Sequence, residues 1–129
     1  MNSPIFTDYI KMPVRSDGMI YVWDADSNMV ADVHVDDGEL LLSACAAALN
    51  YAHGHLPEEA ARASLKASMI TLPVRPAGEH GLEITDAVGA VVLRIRGWGR
   101  LQYLGTDVAV EAQRLIAQAF CDALNALKV

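Results

Sequence analysis

With 129 residues the chain has room for one ordinary domain, and two separate cores would be hard to fill. Apolar residues make up 53% of it, which supplies a core and argues against disorder. A net charge of -6 and a pI near 5.0 exclude a delocalised basic face, so nucleic acid and anionic membrane surfaces are not expected partners.

The chain opens on Met1-Asn2-Ser3-Pro4, without the basic region and apolar run of a secretory signal. Residues 10–15 read Ile-Lys-Met-Pro-Val-Arg. Pro13 cannot donate to a ladder, so this segment is expected at a sheet edge or a strand end. Ile20 to Ala25 and Met29 to His34 then read as two strands around the turn Asp26-Ser27-Asn28. Asp24, Asp26 and Asn28 alternate as the first ligands of an EF-hand loop do. Met29 stands where that loop needs glycine, however, and Val35 where it needs the closing glutamate. Turn chemistry accounts for these side chains, and no metal is expected.

A helix is predicted from about Glu39 to His53, with Asp36 or Asp37 as N-cap and Gly54 as C-cap. Its Leu and Ala residues run most of the way round, which predicts deep burial. The apolar run Leu40 to Leu49 is interrupted by Ser43 and far too short to span a bilayer. His53, His55 and His80 lack the spacing of a zinc site, and the first two suit a helix end. Pro57-Glu58-Glu59 starts a second, short helix, with proline at its first position and acids in its first turn.

Residues 70–75 then read Ile-Thr-Leu-Pro-Val-Arg, followed by the strands Leu82 to Ala87 and Val91 to Arg96 around Val88-Gly89-Ala90. The last helix starts at Thr106. Val108, Ala112, Leu115, Ile116, Ala119, Phe120, Ala123, Leu124 and Leu127 form its apolar stripe, opposite Glu111, Arg114, Gln118 and Asp122. Pro-Val-Arg, the Asp-Ala step before each turn, a helical cysteine and Ala-Leu-Asn recur in one order. That collinearity predicts an internal duplication. The expected fold is α+β: an antiparallel sheet with helices packed on one face, built as β-β-β-α twice with pseudo-twofold symmetry. It is expected as one domain over 1–129, with units at about 9–54 and 69–129 and a connecting helix at about 56–67. A doubled unit stands in for a homodimer, and pairing of whole chains through sheet edges is a further expectation. Cys45 and Cys121 lie in apolar helical stretches; their spacing allows a disulfide but gives no framework, and reduced thiols of a cytoplasmic protein are the expected reading.

The hairpin Tyr21 to Asp32 resembles hairpins of small bacteriophage and prophage accessory proteins. The segment Glu111 to Asn125 resembles the helices that close them. The resemblance covers both hairpins and the last helix, roughly half the chain. It transfers no catalytic residue. It implies an accessory product of a mobile element, a class that includes inhibitors of host defence such as anti-CRISPR proteins, acting in the bacterial host cell. Small acidic proteins ending in an amphipathic helix also resemble type III secretion chaperones, which are dimers, although those open with a helix and this chain opens with strands.

No catalytic constellation stands out. Ser43, Ser64 and Cys121 have no nearby base or Gly-flanked elbow, and Gly97-Trp98-Gly99 lacks the spacing and lysine of a phosphate loop. No enzyme activity and no cofactor are expected. The halves diverge in one place. With Leu93 and Ile95 turned to the core, a continuing strand puts Arg94, Arg96, Trp98 and Arg100 on its other side. The first half carries Asp32, His34 and Asp36 there. Two readings stand: the acidic and basic ladders lie side by side and pair, or Arg94, Arg96, Trp98, Arg100 and Tyr103 form a surface that binds a partner, expected to be a bacterial host protein. The same arginines also suit a small anion or a nucleotide.

Overall fold

The computed structural model describes residues 5–97 and 99–127, with the backbone alone at 99 and 100. Six strands form one sheet: β1 (Arg15–Ser16), β2 (Tyr21–Trp23), β3 (Met29–Asp32), β4 (Arg75–Ala77), β5 (Glu83–Thr85) and β6 (Val91–Ile95). The helices are α1 (Gly38–Ala52), α2 (Glu58–Ser68) and α3 (Thr106–Leu127), with 3-10 turns at Phe6–Asp8, Glu79–Gly81 and Gly99–Tyr103. Every strand pair is antiparallel and the order is β1-β2-β3-β6-β5-β4. The fold is therefore α+β, as the pattern of strands and helices predicts.

The pleat decides which residues are buried. Val22, Ala31, Ile84, Leu93 and Ile95 face α1 and α3 and join one hydrophobic cluster with Leu42, Leu49, Ile116, Phe120 and Leu124. The β2–β3 and β5–β6 pairings each carry a bulge: the register shifts between Val22 and Trp23 and between Ile84 and Thr85. A bulge sets two residues of one strand against one of its partner. That is why Val30 and Ala31, and again Val92 and Leu93, are buried in succession. α1 packs on β1 and β2 and also reaches β6, while α2 packs chiefly on α1.

The two halves share their fastenings. The Asn50 side chain accepts from Val14 N–H at 2.8 Å and donates to Val14 C=O at 2.7 Å. Asn125 does the same for Val74, at 2.8 and 2.9 Å. Asp24 takes the backbone N–H groups of Lys11, Asp26 and Asn28. Asp86 takes those of Thr71, Val88 and Ala90. Asp24 is thus the internal cap of a hairpin turn that also holds the segment before β1. Both Pro-Val segments lead into the edge strands β1 and β4, each through a cis X-Pro bond. β1 is two residues long and β4 contains Pro76, two features that leave sheet edges poor at pairing.

The predicted helix limits are close to those observed. Asp37 is the N-cap of α1, in the left-handed region and without a side-chain cap bond. Pro57 is the N-cap of α2, one place before its first residue. The main departure is β6. It ends at Ile95, and Gly99–Tyr103 coils into a 3-10 turn that buries Leu101. The alternating ladder therefore stops after Arg96. Among the described residues, no helix is long and apolar enough to cross a membrane.

Candidate functional site

Among the described residues, no helix packs on the sheet's other face. Its residues follow from the register: Tyr21 opposite Asp32, Asp32 opposite Arg94, and Arg94 opposite Glu83. Polar and aromatic side chains thus line the strands whose opposite sides fill the core.

Asp32 is the hub. It is only 1% exposed, although the strand pattern alone places it among surface acids. Arg96 Nε donates to its Oδ1 at 2.9 Å, and His34 Nε2 lies 3.0 Å from its Oδ2. Those two side chains cover it, His34 itself being 51% exposed. Arg94 stands beside Glu83 with 3.8 Å between Nε and Oε1, an ion pair too long for a hydrogen bond. Of the two ladders, Asp32 lies opposite Arg94 and pairs with Arg96. The Arg94 Nε is buried and has no hydrogen-bond partner.

The other expected site residues are not gathered on this ladder. Tyr103 closes the 3-10 turn and is 83% exposed. Arg100 has its backbone in that turn, with its side chain outside the described residues, and Trp98 lies wholly outside them.

The first half adds a group absent from the expected ladder. Trp23 Nε1 donates to Asp17 Oδ2 at 3.2 Å. Tyr21 meets the Trp23 ring edge-on at 5.9 Å, and the Arg15 guanidinium lies 6.0 Å from the ring centre. Arg15 is held in turn by Asp24 C=O at 3.1 Å. The backbone N–H groups of Met19, Ile20 and Tyr21 all point at Asp17 Oδ1. Partial burial pushes the Asp17 carboxyl up, but these N–H groups and the indole together outweigh it and hold its pKa below the ordinary carboxylate value. The indole is thereby held by the Asp17 carboxylate. The signal for this group is the alternation Tyr21, Val22, Trp23, which turns both aromatics away from the core.

Among the described residues, no three His, Cys, Asp or Glu side chains stand together as a metal site would require. His53 instead meets Phe6 edge-on at 4.8 Å. Burial pushes the Cys45 thiol far up, with Cys121 adding to it, and pushes Cys121 up to about 12, with Asp122 adding to it. Neither is an activated nucleophile. No protein-family model, curated protein or solved structure matches the chain.

Proposed function

We propose that the protein is a non-enzymatic binding protein that holds a bacterial host protein against the helix-free face of its sheet, in the manner of phage and prophage inhibitors. The observation that carries this reading is Trp23, held by Asp17 beside Tyr21 and Arg15, with Tyr21 in turn opposite Asp32 of the Asp32–Arg96 pair. Rigid aromatic and arginine side chains are the types that dominate binding hot spots, because little entropy is lost when a partner covers them. A bare anion on the same arginines has less support, because Asp32 and Glu83 already face them.

Affinity capture from bacterial host lysate tests the proposal. Wild type, Trp23→Ala, Arg94→Glu and a helix-side control, Gln118→Ala, are compared. The expected result is a protein enriched by wild type and by the control and lost with the two sheet-face variants. Recovery of the same proteins by all four forms refutes it.

A further inference from the structure

A cavity of about 290 Å³ opens where the Glu79–Gly81 turn, β5, the end of β6 and α3 meet, lined by Glu79, Glu83, Arg94, Arg96, Gly97 and Gln113 among others. Its polar groups are of both signs. Gln113 is buried, at 8% exposure, and donates through Nε2 to Ile95 C=O at 3.1 Å. Its Oε1 is turned toward Gly97, where an added Cβ would lie 3.2 Å away. The absence of a side chain at 97 therefore keeps space in front of the amide. Arg94 lines the same cavity with a buried Nε that has no hydrogen-bond partner. Buried donors left unmet are rare and costly, which makes this one a place where an acceptor is missing.

The first half is an internal control. Following α1 and α3 from Asn50 and Asn125, Gly38 stands where α3 has Gln113, and it packs on Val33, whose Cγ1 would be 3.2 Å from an added Cβ. Along the strands Tyr21 and Asp32 stand where the second half has Glu83 and Arg94. The shared frame is thus built once with glycine on valine and once with a buried amide, an arginine and a glutamate. The matching positions of the first half lack this polar set, and burying the Gln113 amide carries a desolvation cost.

We infer that this cavity binds a small zwitterion, an α-amino acid. Glu79 and Glu83 oppose a bare anion, and Arg94 and Arg96 oppose a bare cation. A molecule with both charges satisfies each wall: its carboxylate accepts from Arg94 Nε, and its ammonium donates to Glu83 and to Gln113 Oε1. The volume sits at the small end of ligand pockets, which suits a molecule of this size. This inference stands apart from partner capture, since a protein that recovers nothing from lysate can still bind the ligand.

Thermal unfolding is followed with each of the twenty free amino acids at millimolar concentration, and with the N-acetyl and amide forms of any that act. The expected result is a raised Tm with at least one free amino acid and none with its two singly charged forms. Because this comparison uses wild type alone, it does not depend on a variant folding. Gly97→Ala and Arg94→Gln are expected to abolish the shift. A flat response to all twenty overturns the inference, as does an equal response to the blocked forms or an unchanged response in both variants.

Discussion

Asp32 and Arg94 stand opposite one another where β3 meets β6, and they are the same position in the two halves of the chain. The spacing from Asp24 to Asp86, from Asn28 to Ala90 and from Asp32 to Arg94 is constant, so this pair joins matching positions of the two halves. The two halves carry opposite charges at this position, and the buried Asp32 carboxylate is the acceptor under Arg96 and His34.

Asp32→Ala removes the acceptor shared by Arg96 and His34 from a buried position. A loss of about 2 kcal/mol in unfolding free energy is expected, toward the modest end for a buried ion pair because Arg96 keeps partial access to water. Urea denaturation measures it, and Asp32→Asn should lose less because it keeps an acceptor oxygen.

Asn50→Ala and Asn125→Ala each remove one donor and one acceptor from a Pro-Val segment. Each should cost about 2 kcal/mol, and the two costs should agree within ~0.5 kcal/mol if the fastenings are equivalent. Paired urea curves decide this.

Asp17 has a folded pKa below its unfolded value, so its contribution is present above the unfolded pKa and is lost as pH falls through the folded one. Asp17→Asn lacks that contribution at every pH. The stability gap between wild type and this variant should be full near neutrality and close in acid. Solvent screening at this exposed residue keeps the gap below ~1 kcal/mol. A gap that is unchanged at low pH contradicts the assignment.

Burial raises both thiols, so native protein at neutral pH should react with a thiol reagent only as fast as it opens. Unfolding in denaturant should release both at once. Fast modification of either in buffer would show that the helix interior is open.

The helices were legible because their apolar periods and caps are local: Thr106 starts α3, and Glu111, Arg114, Gln118 and Asp122 are exposed along it. The edge position of the Pro-Val segments was legible for the same reason, since a missing N–H is a property of one residue. The end of β6 was not. The backbone N–H of Arg96 still reaches Val30 C=O, and the chain then turns to bury Leu101, a contact that no local pattern announces. Asp32 reads as a surface acid because its cover, Arg96, is distant in the chain. Gln113 reads as part of an amphipathic helix, and only its place over Gly97 shows that it faces a cavity.

α1 lies not only on β1 and β2 of its own half but also on β6 of the other. A half cut free would expose apolar sheet that its partner's helix normally covers. The repeated contacts therefore do not make two independently melting bodies. Heating should give one calorimetric transition, with equal calorimetric and van't Hoff enthalpies, because losing either half uncovers the core of both.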